Sequence, residues 1–131
     1  MNRLIYLLDT YAWIEYFKGS EKGRKIHFLF NSSDHVFITL ECNIAELYEW
    51  SHKNEQHFDK LFEIVKVNSS IIPIMLKTWL TAIEIKLEQT KSIADFGLMD
   101  ALLVAKQKEI KAIIITGDKH FKHMKKVLFL N

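Results

Sequence analysis

Two short runs in this chain leave little freedom for the fold. Leu4-Ile5-Tyr6-Leu7-Leu8 places five apolar residues in succession and stops at Asp9-Thr10. Ile113-Ile114-Ile115 does the same near the other end and stops at Thr116-Gly117-Asp118. Apolar runs without polar alternation mark strands buried on both faces, as in a parallel sheet covered by helices. Each run delivers an aspartate at its carboxyl end, which is where open α/β sheets place their ligands.

The chain between these strands alternates in the same sense. Thr10 is read as the N-cap of a helix through Phe17 that stops at Lys18-Gly19, and Ser20 as the cap of the next, with Ile26, Leu29 and Phe30 at helical spacing. Residues 31–34 form a turn before a second strand at Val36-Phe37-Ile38-Thr39. Glu41 to His52 is a helix with Ile44, Leu47 and Tyr48 inward, and Asn54 caps another carrying Phe58, Leu61, Phe62 and Val65. Ser70 to Ile74 is a strand that Pro73 confines to a sheet edge or a strand end. Leu76, Trp79, Leu80, Ile83 and Leu87 stripe a long helix to Gln89, and Leu98 to Lys108 is helical and apolar almost all round. Strand Ala112 to Thr116 and a final strand Val127 to Leu130 complete the pattern. The expectation is a three-layer α/β/α sandwich around a largely parallel sheet, with residues 1–131 forming one domain.

Composition narrows the class. An apolar fraction of 49% in 131 residues supplies one core. The net charge of +2 does not identify a nucleic-acid binder from bulk electrostatics. No apolar stretch approaches the roughly 18 residues of a membrane span. The single cysteine, Cys42, excludes an intramolecular disulfide framework and reads as a small buried hydrophobe. With no secretory pattern at the start, the expectation is a cytoplasmic protein without a membrane partner.

Two further acids join Asp9 and Asp118. Asp100 lies among Phe96, Leu98, Met99 and Ala101 to Ala105, so it needs a cap, a base or a metal as partner. An acid acting on the helix dipole is the simpler reading. Against it, the helix starts at the sheet edge that carries Asp9 and Asp118. Glu46 sits beside inward positions of a helix beginning at that edge, although Glu41 and Glu49 are solvated alternatives on the same helix. Converging carboxylates repel unless a cation joins them, and oxygen donors suit Mg²⁺ or Mn²⁺. The pairs His52/His57 and His120/His123 lack a zinc pattern. A carboxylate-held Mg²⁺ suits phosphoryl chemistry. Lys119, Lys122, Lys125 and Lys126 follow Asp118, as a solvated face or as a grip for phosphates. Trp13, Trp50 and Trp79 read as core residues, and Asp95 as the cap of the Asp100 helix.

The phrase Leu7-Leu8-Asp9-Thr10-Tyr11-Ala12-Trp13-Ile14-Glu15-Tyr16-Phe17 resembles the opening of a PIN domain, most closely of VapC-type toxins. Ile44-Ala45-Glu46-Leu47-Tyr48, Met99-Asp100-Ala101-Leu102-Leu103 and Ile115-Thr116-Gly117-Asp118-Lys119-His120-Phe121 resemble the three motifs that follow. The resemblance implies a five-stranded parallel sheet in the order 3-2-1-4-5 and a Mg²⁺- or Mn²⁺-dependent endoribonuclease. It assigns Asp9, Glu46, Asp100 and Asp118 to the acidic quartet and Thr116 to steadying it. Lys119, Lys122 and Lys125 are the candidate RNA contacts. It further implies an RNA substrate, a cognate antitoxin, a homodimer and the toxin role in a type II toxin–antitoxin pair. His120 stands where many relatives carry a further acid. The alternative is a PIN fold that has lost catalysis and binds RNA or protein. A phosphoaspartate receiver would carry an acid where Leu8 stands, and a dehalogenase-like phosphatase would carry one at Tyr11.

Overall fold

The computed structural model describes residues 3–32 and 34–131. Five strands, β1 (Ile5–Leu8), β2 (Val36–Leu40), β3 (Ser70–Ile72), β4 (Ile113–Thr116) and β5 (Val127–Phe129), form one sheet in the order β3-β2-β1-β4-β5. Every pairing is parallel. Six helices connect them: α1 (Thr10–Lys18), α2 (Glu21–Ser32), α3 (Glu41–Lys53), α4 (Phe58–Asn68), α5 (Leu76–Gln89) and α6 (Leu98–Ile110).

The uninterrupted apolar runs explain the layering. Along β1, Leu7 faces a core built with α5 and α6, including Ala82, Phe96 and Leu102. Its neighbours Tyr6 and Leu8 face the opposite core, with Trp13 of α1, Ile26 of α2, Leu47 of α3 and Val65 of α4. Ile114 and Ile115 of β4 divide in the same way. Leu7, Leu8, Ile114 and Ile115 are fully buried, and each such side chain contributes about 1.5–3 kcal/mol by leaving water.

Register then sets the site. Leu8 lies beside Ile115 on one side and Thr39 on the other, so β1, β2 and β4 end together. The Asp9 backbone N–H donates to the Ile115 carbonyl at 3.3 Å, carrying the alignment one residue past the strand. Asp9 and the Thr116-Gly117-Asp118 turn therefore leave the sheet at the same edge.

Several local expectations differ from the structure. Asp9, not Thr10, caps α1: its side chain accepts from the Ala12 N–H at 2.8 Å. Asn54 ends α3 instead of starting α4, whose first flanking residue is His57. Asn31 and Ser32 continue α2, so the expected turn does not begin there, and Ser33 of that segment lies outside the described residues. Tyr48 is exposed rather than inward, while Leu47 and Asn43 are buried. The α6 cap is Gly97, not Asp95. The strand expected over residues 70–74 ends at Ile72, and it does lie at the sheet edge. Along α5 the predicted apolar stripe divides: Trp79 packs against the core together with Thr78, Ala82 and Ile85, whereas Leu76, Leu80, Ile83 and Leu87 are exposed. Among the described residues, no helix is long and apolar enough to cross a membrane.

Candidate metal centre

The site begins with Asp9, 5% exposed where β1 ends. One carboxylate oxygen caps α1 through Ala12, and the other accepts from the Thr116 hydroxyl at 2.5 Å. Thr116, fully buried at the end of β4, also accepts from the Asp118 N–H at 3.0 Å. A single hydroxyl thus ties the two strand-end turns together. Burial pushes the Asp9 carboxyl up to about 7, against hydrogen bonds from Thr116 and Ala12 that favour its charge, and the nearby Asp118 and Glu46 carboxylates push it further.

Glu46 reaches the site from α3. Its Oε1 accepts from the Thr10 hydroxyl at 2.5 Å and from Asn43 Nδ2 at 3.1 Å. Asn43 Nδ2 also donates to Thr10 Oγ1 at 3.1 Å, closing a triangle that fixes the glutamate. Thr10 therefore orients an acid rather than capping a helix.

Asp118 opens a short 3-10 turn, Lys119–Phe121, by accepting from the His120 N–H at 2.9 Å. Asp100 stands in the first turn of α6, and its Oδ2 accepts from the Gly97 N–H at 3.0 Å. Asp100 serves its own helix end and also lies close to Asp118. His120 bridges them, with Nδ1 2.9 Å from Asp100 Oδ2 and 3.6 Å from Asp118 Oδ1. Its Nε2 is 3.0 Å from Asp95 Oδ1 but lacks an aligned hydrogen-bond partner. Burial opposes charge on the ring, yet the hydrogen bond to Asp100 and the approach of Asp95 and Asp118 outweigh it and hold His120 above its ordinary 6.5. The same contact holds the Asp95 carboxyl below the usual range.

Donor atoms of Asp100, Asp118 and His120 all lie within 4.8 Å of one another, close enough to share a cation. Asp9 and Glu46 are not within that cluster: Asp9 is connected to it only through Thr116, whose hydroxyl also accepts from the Asp118 backbone N–H, and Glu46 is held by Thr10 and Asn43. Two carboxylates and an imidazole converging at one sheet edge, beside a carboxyl raised chiefly by burial, fit a divalent cation.

The lysines divide. Lys119 and Lys122 line an open groove of about 600 Å³ with Asp95, His120 and His123, whereas Lys125 is exposed outside that lining. Trp13 is fully buried, its indole N–H donating to Thr39 at 3.0 Å, and Trp50 and Trp79 are half-buried. Cys42 is buried, which pushes its thiol up to about 12 and leaves it inert.

Sequence reasoning missed Asn43 and the packing of Gly117. The Tyr11 ring lies so close to Gly117 that an added Cβ would sit 2.2 Å from Cε1. Lys22 of α2 donates to the Tyr11 hydroxyl at 2.7 Å, holding the ring there. A buried asparagine one helical turn before Glu46 was a usable signal; the Tyr11–Gly117 contact, across more than a hundred residues, left none.

Comparison with known proteins agrees with this architecture. The family model described as PIN domain matches residues 6–127. No curated protein sequence matches significantly. Among solved structures, Mycobacterium tuberculosis VapC20, a sarcin–ricin-loop-cleaving toxin, superposes with a TM-score of 0.78 at 14% identity, covering 96% of this chain and 99% of that one. A toxin–antitoxin complex from Klebsiella pneumoniae gives 0.75 at 17% identity, covering 96% and 98%. VapBC2 from Rickettsia felis, bound to a DNA fragment from its promoter, gives 0.74 at 18%, covering 96% and 97%. At these identities the likeness is one of fold.

Proposed function

The chain belongs to the PIN domain family, and from that premise we propose that it is a divalent-metal-dependent endoribonuclease, the toxin of a type II toxin–antitoxin pair. The observation that carries this reading is geometric: donor atoms of Asp100, Asp118 and His120 lie within 4.8 Å of one another, and buried Asp9 shares the Thr116 hydroxyl with the Asp118 backbone at the same sheet edge. Burial also pushes the Asp9 carboxyl up to about 7, a cost that a nearby cation would offset. In this reading Asp9, Asp100, Asp118 and Glu46 hold Mg²⁺ or Mn²⁺, and Thr116 steadies Asp9. The bound ion supplies charge stabilisation to the scissile phosphate and lowers the pKa of an attacking water. Glu46, fixed by Thr10 and Asn43, orients that water. Lys119 and Lys122 hold RNA phosphates along the groove, with Lys125 extending the grip beyond it.

The partners follow the same reading. Residues 1–131 act as one PIN-like unit in the cytoplasm, paired with a cognate antitoxin and with a second copy of the chain. The outward stripe of α5 is the surface offered to that copy. The support for an antitoxin is that two of the similar folds above are toxin–antitoxin assemblies.

The test uses purified chain and a labelled RNA. Cleavage should require Mg²⁺ or Mn²⁺ and stop in excess chelator, and expression alone should arrest growth unless the adjoining gene is co-expressed. RNA binding without cleavage at any divalent ion concentration would favour the non-catalytic binding module instead. Cleavage with harmless expression would leave a nuclease and remove the toxin role.

A further inference from the structure

His120 sits where the metal reading needs a donor, yet its ring is not an oxygen ligand. Its position is built rather than incidental. The backbone N–H of His120 is tied to Asp118, the ring lies 6.0 Å from Phe96 between centroids, and the side chain is only 13% exposed. Nδ1 therefore faces the Asp100 and Asp118 carboxylates at 2.9 and 3.6 Å. A divalent ion about 2.1 Å from each ligand separates neighbouring ligands by about 3 Å, so an ion that displaces the proton shared by Nδ1 and Asp100 requires only small movements of these groups. The other nitrogen supplies an independent sign. Nε2, buried and outside ideal hydrogen-bond alignment, is in ion-pair contact with the Asp95 carboxylate at 3.0 Å, on an exposed, adjustable side chain. A histidine that ligates through one nitrogen characteristically donates its other N–H to a carboxylate, which sets tautomer and ring orientation.

We propose that His120 Nδ1 is a ligand of the divalent ion, with Asp95 as its positioning residue, and that this nitrogen turns the site's preference toward Mn²⁺ over Mg²⁺. The proposal rests on the metal-dependent reading above. Its physical basis is that Mg²⁺ holds to an all-oxygen shell, whereas Mn²⁺, a first-row transition ion that also takes carboxylate oxygens, accepts one imidazole nitrogen among them more readily. Asp95 thereby leaves the capping role expected of it and acts through His120.

The experiment is direct detection of metal-bound nitrogen. Chelator-stripped, tag-free chain of residues 1–131 is loaded with Mn²⁺ and examined by electron spin-echo envelope modulation, with Mn²⁺ and Mg²⁺ affinities measured by calorimetry. Wild type should show ¹⁴N modulation that is absent in His120→Gln and His120→Ala and retained in His123→Ala. Mn²⁺ affinity should fall about tenfold or more in the His120 variants and by less in Asp95→Asn. His120→Asp, which returns an oxygen donor, should shift the preference toward Mg²⁺. Mn²⁺ binding that depends on Asp118 but shows no nitrogen modulation in wild type overturns the histidine ligand and leaves the carboxylate site standing. Binding that is absent, or indifferent to Asp118→Asn, overturns both. The wild-type spectrum decides even if a variant fails to fold.

Discussion

Asp9 concentrates the tension of the site in one residue. Its carboxyl rises from an ordinary 3.8 to about 7 in the folded chain. Between those values the unfolded chain has lost this proton and the folded chain keeps it, so stability falls as pH rises from about 4 to about 7. Below that window the penalty is absent; above it the penalty is complete. Asp9→Asn removes it, so in chelator the melting temperature of the variant relative to wild type should climb between pH 4.5 and pH 8. Adding Mn²⁺ at pH 8 should raise the wild type selectively. A difference independent of pH would contradict the burial argument. At this scale the sequence showed that Asp9 ends a buried strand, but not that it caps α1. Asp9 and Thr10 are both good caps standing side by side, and only the alignment of β1 with β4 decides between them. Asp95 was misplaced for a related reason: Gly97 starts α6 with its backbone N–H held by Asp100, and a glycine offers no side-chain signal.

Among the elements, α5 separates what periodicity reports from what it does not. An apolar stripe at helical spacing says that a face avoids water, without saying what covers it. In α5 the covered face is the one with Thr78 and Ala82, where the Thr78 hydroxyl donates to Glu109 of α6 at 2.5 Å. Leu80 at 60% and Leu76 at 72% exposure are left on the outside. Strands β1 and β4 gave no such ambiguity, because an apolar run buried on both faces must lie inside a covered sheet. If the stripe is the contact between copies, wild type should sediment as a dimer, and Leu80→Lys should yield a folded monomer. A monomeric wild type would remove the homodimer from the account.

On the scale of the whole molecule, the parallel order β3-β2-β1-β4-β5 converts distant sequence positions into one edge. Helices α1 and α3 begin there because β1 and β2 end there, and α6 begins there because it leads back into β4. That logic made it legible from the chain alone that Asp9, Asp100 and Asp118 stand at one sheet edge. The supports around them (Asn43 and Thr10 on Glu46, Tyr11 against Gly117) depend on side-chain packing that periodicity does not encode. The role proposed for this edge is RNA cleavage through its carboxylates. It is tested most directly by single-turnover cleavage of one RNA by wild type, Asp9→Asn and Asp118→Asn in Mg²⁺ or Mn²⁺. Glu49→Gln, an exposed acid paired with Lys53, is the control. Each site variant should keep its fold and its RNA affinity while losing about 10²–10³ or more in rate, with the control unchanged; an Asp9→Asn protein that folds normally and cleaves at the wild-type rate would contradict the account.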